Sequence, residues 1–143
     1  MAMVLRIMVP ADMPCVMDNW LKSWRKSRYA GVVTNNQYYS VYRSTIESLV
    51  GRGAIIEVAC DSDKPDRIYG WICREVTPDG FPVVHYLYVK DIWLKANYDV
   101  DSLLMTNIAT PPFYTFKYSQ VEDAIEKKFK KAKGWVPEIA RRR

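Results

Sequence analysis

The chain has 143 residues, of which 49% are hydrophobic and 13% are aromatic, a composition that excludes intrinsic disorder and is enough for the core of one domain. We therefore expect a single domain over residues 1–143. The formal charge is +5, and eight basic residues against four acidic ones between Val121 and Arg143 place most of it at the C-terminal end.

Several classes of protein are excluded by what the chain lacks. It contains no run of about twenty consecutive apolar residues, the length that a membrane-spanning helix needs. Arg6 lies inside the first apolar stretch and not ahead of it, so this stretch does not resemble a signal peptide. The three cysteines lie far apart and are accompanied by a single histidine. We expect a cytoplasmic protein with no membrane partner, no disulfide framework and no metal site.

The first elements in chain order are a strand and a Trp-rich helix. The apolar run Val4–Val9 predicts a strand, which Pro10 ends. Asp12 is a candidate N-cap for the helix that follows. Trp20 and Trp24 then recur at helical spacing, so this helix is expected to be amphipathic.

A second helix and a hairpin follow. Asn35 or Asn36 is a candidate N-cap for the helix, and Gly51 closes it. Alternation of apolar and polar residues predicts strands over Ala54–Cys60 and Arg67–Glu75, with a polar turn between them. The two strands are expected to pair as an antiparallel hairpin.

The second half alternates strands and helices after a turn at Pro78–Gly80. The predicted elements are a strand over Phe81–Val89, a helix over Ile92–Met105 with an irregular start, a strand over Phe113–Tyr118, a helix over Val121–Lys133 that Gly134 ends, and a short strand over Trp135–Ala140. On the last helix, Asp123 and Lys127 are spaced to form an i,i+4 ion pair. The chain therefore reads β-α-α-β-β-β-α-β-α-(β), which predicts a mixed α/β fold.

This order resembles that of the GNAT family of acetyl-CoA-dependent N-acyltransferases over essentially the whole chain. The segments Ile68–Ile72 and His85–Lys90 are similar to the third and fourth strands of that family. Asn19–Arg25 and Trp135–Pro137 are similar to segments of small phage-encoded members. The resemblance implies a GNAT-like acyl-CoA N-acyltransferase fold and, for a phage protein, a place in the host cytoplasm.

The resemblance also implies where acetyl-CoA would bind. In the family, the fourth and fifth strands splay apart, and backbone of the fourth strand holds the pantetheine arm, which here points to Tyr88, Val89 and Lys90. A loop with the pattern Arg/Gln-x-x-Gly-x-Gly/Ala then holds the pyrophosphate. The corresponding stretch here is Trp93–Ser102, in which the candidate cofactor-binding residues are Lys95, Ala96, Asn97 and Ser102.

This stretch departs from the family pattern, because it contains no glycine and carries Asp99 and Asp101. Two carboxylates at the start of a helix repel a phosphate group, whereas Lys90 and Lys95 would attract one. Retention and loss of acetyl-CoA binding therefore both remain open from the sequence.

Transfer of an acetyl group to an amine needs a base and a proton donor for the departing thiolate. His85 is a candidate base, since it is the single histidine and lies on the fourth predicted strand. The alternative for His85 is a packed structural residue. Tyr114 and Tyr118 lie where the family often places the proton donor.

The acceptor pocket of the family is often built from the first two helices. Trp24 and Arg25 are therefore candidate substrate-binding residues, and the alternative for Trp24 is a place in the core. The acceptor amine itself cannot be identified from the sequence.

Three functions follow from these observations. The first is an acetyl-CoA-dependent N-acyltransferase with a degenerate pyrophosphate loop. The second is a non-catalytic protein on the same scaffold that binds a host protein or DNA through its basic end, which includes Arg141–Arg143. The third is a small nucleic-acid-binding domain that uses strand aromatics such as Tyr86 and Tyr88.

Overall fold

The structure is a computed structural model that describes residues 3–26, 35–90, 99–116 and 118–136. A mixed sheet of six strands, in the order β1-β2-β3-β4-β5-β6, runs through this part of the chain. The strands are β1 Met3–Ile7, β2 Ile55–Asp61, β3 Ile68–Val76, β4 Pro82–Val89, β5 Phe113–Tyr114 and β6 Gly134–Trp135. Neighbours from β1 to β4 pair antiparallel, whereas β4, β5 and β6 pair parallel.

Four α-helices accompany the sheet within the described residues. They are α1 Met13–Lys26, α2 Asn35–Gly51, α3 Val100–Leu104 and α4 Ser119–Phe129. A short 3-10 turn, Pro10–Asp12, precedes α1. This element order confirms the mixed α/β fold predicted from the sequence.

The first strand is shorter than the sequence predicts, and it ends at Ile7 instead of Val9. The backbone N–H of Val9 turns away from the sheet and donates to Oδ2 of Asp12 at 2.9 Å. Asp12 therefore caps the 3-10 turn and not α1, which corrects its predicted role. The guanidinium of Arg6 lies 2.7 Å from the same carboxylate, and this hydrogen bond lowers the pKa of Asp12.

The predicted strands of the central hairpins are confirmed to within one residue at each end, as is the helix α2. In the turn between β2 and β3, the carboxylate of Asp61 accepts hydrogen bonds from the backbone N–H groups of Asp63 and Lys64. In the turn between β3 and β4, Gly80 has a φ of 88°, a conformation that favours glycine. Local turn chemistry therefore explains why the sequence pattern was reliable here.

Gly70 is where the backbone of β3 lies closest to its neighbours. A Cβ atom at this position would lie 2.5 Å from the carbonyl oxygen of Tyr88 and 3.3 Å from Cγ1 of Val100. Only glycine leaves room for both contacts. It lets α3 pack directly on β3 and β4 at the end of the sheet where the candidate site lies.

The fifth strand was predicted over Phe113–Tyr118, but it ends at Tyr114. The carbonyl oxygen of Thr115 accepts a hydrogen bond from Nε1 of Trp135 at 3.2 Å, so this residue no longer pairs with β4. Tyr118 is the extended N-cap of α4 and not part of a strand. Side-chain contacts made by distant residues therefore cut this strand short.

Two further predictions near the C-terminal end need correction. The last helix was predicted over Val121–Lys133, but it ends at Phe129, and Lys130 with a φ of 73° is its C-cap. Gly134 instead begins β6. Of the strand predicted over Trp135–Ala140, the structure describes Trp135, which lies in β6, and Val136, which does not, and the rest lies outside the described residues. Of the helix predicted over Ile92–Met105, the structure describes α3, and residues 91–98 lie outside it.

A cluster of aromatic rings joins α1 to the sheet. Trp20 stacks on Tyr86 with ring centroids 5.0 Å apart, and Tyr86 stacks on Tyr118 at 4.7 Å. Trp71 and Phe116 also contact the ring of Trp20. These rings are buried, so the cluster fixes α1 and the start of α4 relative to β4.

Candidate functional site

The strands β4 and β5 diverge after a short parallel pairing. Val83 pairs with Phe113 and Val84 pairs with Tyr114, where β5 ends. β4 continues from His85 to Val89 beyond these pairs, and the side of β4 that faces away from β3 meets the start of α4. Among the described residues, no backbone pairing joins β4 beyond Val84 to the chain that follows β5, and this break in the pairing is called the gap.

Val89 presents its backbone polar groups to this gap. Its N–H donates to Oε1 of Gln120 at 2.7 Å, and its carbonyl oxygen accepts from Nε2 of Gln120 at 3.3 Å. Gln120 lies in the first turn of α4. A single side-chain amide therefore takes the place that a neighbouring strand would otherwise hold.

A second feature lies at the start of α3. Nζ of Lys127 is 2.7 Å from Oδ1 of Asp99 and 3.3 Å from Oδ1 of Asp101. The hydrogen bond to Asp99 raises the pKa of Lys127, so the lysine remains charged. Lys127 was predicted to pair with Asp123, and it instead offsets the two carboxylates that oppose phosphate binding. A hollow of about 280 Å³ beside it is also lined by Ser102 and Lys128.

His85 is completely buried, with 0% of its surface exposed. Its Nδ1 lies 2.7 Å from Oγ1 of Thr115, and its Nε2 lies 2.5 Å from Oε1 of Glu75. The guanidinium of Arg52 contacts the same oxygen of Glu75. Both ring nitrogens of His85 are therefore occupied by protein groups.

Burial determines the charge state of His85, because it lowers the pKa of the imidazole despite the neighbouring carboxylate. Burial opposes ionisation of Glu75 as well, but hydrogen bonds from His85 and Arg52 outweigh it and lower the pKa of Glu75 to about 2. A carboxylate only accepts hydrogen bonds. Neutral His85 therefore donates from Nε2 to Glu75, and its Nδ1 accepts from the hydroxyl of Thr115.

The two candidate tyrosines have different surroundings. The hydroxyl of Tyr114 donates to Oε2 of Glu122 at 3.2 Å, and the ring is half-buried. The ring of Tyr118 is buried and stacks on Tyr86. Tyr118 immediately precedes the helical turn that carries Gln120, so it lies nearer in the chain to the gap beside Val89.

The other predicted site residues are only partly described. Trp24 is 7% exposed and meets Phe116 edge to face at 5.5 Å, while Arg25 is half-buried. The indole N–H of Trp24 has no hydrogen-bond acceptor among the described residues. The ring of Tyr88 is half-buried against Trp71, and Ser102 is exposed. Lys90 is half-buried, and Lys95, Ala96 and Asn97 lie outside the described residues.

The partners of the predicted residues could not be selected from the sequence pattern. Gln120, Glu75 and Lys127 were not among the candidates, although they contact Val89, His85 and Asp99, respectively. Arg52 was not a candidate either, and it contacts Glu75. A glutamine in the first turn of a helix is common, and so is a glutamate at the end of a strand. Only the tertiary fold shows that these side chains meet the predicted site.

The part of the chain that the structure describes has neither a metal site nor a membrane-spanning helix. It contains no group of three or more His, Cys, Asp or Glu side chains that could hold a metal ion. Among the same residues, no helix has both the length and the apolar character needed to cross a membrane.

No family model matches the sequence, and no curated protein matches it either. Solved structures do match. A structure from Pyrococcus furiosus that is assigned as an acetyl transferase has 15% sequence identity and a TM-score of 0.56. The match covers 94% of this chain and 80% of that one. A structure from Corynebacterium glutamicum, described as histone acetyltransferase HPA2 and related acetyltransferase, has 15% sequence identity and a TM-score of 0.57. The match covers 73% of this chain and 68% of that one.

A third match is an acetyltransferase of the GNAT family from Staphylococcus aureus, with 11% identity and a TM-score of 0.50 over 89% of this chain and 68% of that one. Identities this low show the fold alone, and the fold agrees with the element order described above. The chain therefore has the GNAT acyl-CoA N-acyltransferase fold.

Proposed function

We propose that this protein is an acetyl-CoA-dependent N-acyltransferase whose acceptor is an amine. The observation that carries the proposal is the gap beside β4, where the backbone N–H and carbonyl of Val89 meet a side chain and not a strand. The GNAT fold supports this function, because it is the fold of acetyltransferases of known structure.

The described residues fit the amide-bearing arm of acetyl-CoA. Val89 offers one donor and one acceptor in the gap, which match the N–H and carbonyl of a secondary amide. At the start of α3, Ser102 and Lys128 border the hollow next to Lys127, and Lys127 offsets the charge of the two aspartates. We propose that the phosphates lie on this side, together with Lys90 and with Lys95, Ala96 and Asn97 of the preceding loop.

The reaction transfers an acetyl group from sulfur to nitrogen. The amine nitrogen attacks the thioester carbonyl, a C–N bond forms and the C–S bond breaks, the amine loses a proton, and the departing thiolate gains one. We propose Tyr118 as the donor of that proton, because it begins the segment that borders the gap, and Tyr114 as the alternative. Trp24 and Arg25 are proposed to contact the acceptor, because both lie on α1, one of the two helices that often build the acceptor pocket in the family that the chain resembles.

A direct role of His85 as the base stays a prediction. The side chain has no exposed surface, and its two nitrogens already bind Thr115 and Glu75. These contacts favour a positioning role, in which His85 joins the start of β4 to the residue that follows β5.

The test is an assay of free thiol released from acetyl-CoA in the presence of a panel of primary amines and lysine-containing peptides. We expect amine-dependent release, and we expect Tyr118→Phe to lower kcat by about 100-fold, the lower end of the usual range for a proton-transfer group. Tyr69→Phe is the matched control, since Tyr69 is also buried but its hydroxyl contacts Asp61. Release that does not depend on any amine, or equal loss in both variants, contradicts the assignment.

A second candidate function is supported by a different surface at the other end of β4. A hollow of about 540 Å³ is lined by Phe81, Phe129, Lys131 and Lys133, among others, with no acidic residue in its described lining. Nζ of Lys133 lies 4.3 Å from the ring centroid of Phe81, which is 40% exposed. Cations beside exposed rings suit single-stranded nucleic acid, and Arg141–Arg143 add charge to the same end of the chain.

This candidate is tested by fluorescence anisotropy with a labelled single-stranded oligonucleotide at several salt concentrations. Binding through these groups predicts an affinity that falls steeply with salt and that Lys131→Ala and Lys133→Ala together weaken. Lys22→Ala is the control, because Lys22 is an exposed lysine on α1. Absence of binding at low salt contradicts this second candidate function.

A phage source, a cytoplasmic location and a single domain over residues 1–143 stay predictions.

A further inference from the structure

The hydrogen bonds between Gln120 and Val89 resemble one rung of a β-ladder. In a hydrogen-bonded pair of residues on neighbouring strands, each residue both donates to and accepts from the other. Gln120 meets Val89 in this way with its side-chain amide, at 2.7 Å and 3.3 Å. On the other side of β4, the flanking residue Lys90 donates its N–H to the carbonyl oxygen of Tyr69 in β3. The polar groups of Val89 therefore point away from β3, into the gap.

The burial of Val89 explains why this position needs a partner. The residue is 1% exposed, and a buried N–H or carbonyl without a hydrogen bond costs about 1–3 kcal/mol. β5 supplies no partner because it ends at Tyr114. Here the side chain of Gln120 satisfies both the N–H and the carbonyl of Val89. A side chain can rotate away and be replaced by a ligand, whereas a paired strand cannot.

We propose that Gln120 is an internal surrogate for the ligand: its amide occupies the backbone position of β4 that a secondary amide of the pantetheine arm takes, and it rotates away when acyl-CoA binds. This inference rests on the proposed function. It adds that the free protein closes its own cofactor site and that part of the binding energy is used to displace Gln120.

The test compares the affinity for coenzyme A of the unmodified protein and of Gln120→Ala, measured by titration calorimetry. Removing the surrogate leaves Val89 without its protein partner in the free state, so coenzyme A should bind about five- to tenfold more tightly, as expected for one or two net hydrogen bonds. Adenosine 3′,5′-bisphosphate lacks the amide-bearing arm, so its affinity should be equal for both proteins. Ser119→Ala, at the neighbouring exposed position, is the matched control.

A second readout does not depend on affinity. In spectra of the ¹⁵N-labelled protein, the side-chain NH₂ of Gln120 should exchange slowly with solvent in the free state and rapidly once coenzyme A is bound. Equal or weaker binding of coenzyme A to Gln120→Ala, or an NH₂ group that stays protected in the complex, overturns the inference and leaves the proposed function intact. If neither protein binds coenzyme A, both the inference and the proposed function are wrong.

Discussion

Nε2 of His85 and Oε1 of Glu75 lie 2.5 Å apart, and His85 donates a hydrogen bond to this carboxylate, which also contacts Arg52. The pair joins β3 to β4, and Thr115 extends it to the segment after β5. This polar chain lies directly after the last residues at which β4 and β5 pair, and the candidate site lies farther along β4, at Val89.

The pH dependence of stability should report the charge of His85. Burial lowers the pKa of His85 in the folded protein, whereas the unfolded chain protonates near the ordinary value of about 6.5. Below that pH the unfolded state binds a proton that the folded state does not, so the free energy of unfolding should fall, by at most about 1.4 kcal/mol per pH unit. Urea denaturation at about pH 7.5, 6.5, 5.8 and 5.2 measures this slope, because these values lie on both sides of the ordinary histidine pKa.

The chain contains one histidine, so the control is simple. His85→Gln keeps an amide donor toward Glu75 and should abolish the slope between these pH values. The lowered pKa of Glu75 adds a separate loss of stability, which begins only as the pH falls below the ordinary glutamate value. If the protein instead becomes more stable as the pH falls below about 6.5, His85 is charged in the folded state and the prediction is wrong.

Gly70→Ala should destabilise the protein. The added Cβ would meet the carbonyl oxygen of Tyr88 at 2.5 Å, and backbone atoms cannot move aside cheaply. We expect a loss of about 1–3 kcal/mol in the free energy of unfolding, the usual cost of overpacking. Gly51→Ala is the control, since a Cβ there meets nothing within 4 Å, and it should change stability by less than about 1 kcal/mol. Equal effects of the two changes would contradict the close packing at Gly70.

The hydroxyl of Tyr86 lies 2.7 Å from Oγ of Ser23, which links α1 to β4 beside the stacked rings. A double-mutant cycle with Tyr86→Phe and Ser23→Ala should give a coupling energy of about 0.5–1.5 kcal/mol, because each single change removes the same hydrogen bond while the rings stay stacked. The free energies of unfolding of the four proteins in urea give this value. Additive effects would show that the hydrogen bond contributes nothing to the free energy of unfolding.

The charges at the start of α3 should control the affinity for acetyl-CoA. Asp99→Asn and Asp101→Asn each remove a negative charge, and each should strengthen binding about two- to fivefold at low salt. Lys127→Gln should weaken it, because both carboxylates then lose their partner. Asp18→Asn changes the net charge equally on α1, where Asp18 pairs with Lys22, and should have no effect. Affinities that follow only the net charge would contradict a phosphate site at α3.

Much of the fold could be predicted because its central elements are specified locally. The strands β2, β3 and β4 are apolar runs bounded by turn residues, and each was predicted to within one residue at either end. The strand after α3 was predicted too long, because Trp135 and His85 bind Thr115 from distant parts of the chain. Periodicity carries no information about such contacts.

The candidate site was predictable only in its backbone part. Val89 was identified through the resemblance of its strand, but Gln120 lies 31 residues away in the chain and meets Val89 only because β5 ends early. In the same way, Asp99 and Asp101 read as a barrier to phosphate until Lys127 is placed beside them. Both partners depend on how α4 packs, which the sequence pattern does not reveal.

The most direct test of the proposed function is a calorimetric titration of the purified protein with acetyl-CoA, repeated on Lys95→Ala. We predict binding in the micromolar range that Lys95→Ala weakens, since that lysine belongs to the loop proposed to hold the phosphates. Absence of heat up to millimolar acetyl-CoA would contradict the acyltransferase assignment and would leave the GNAT fold without this activity.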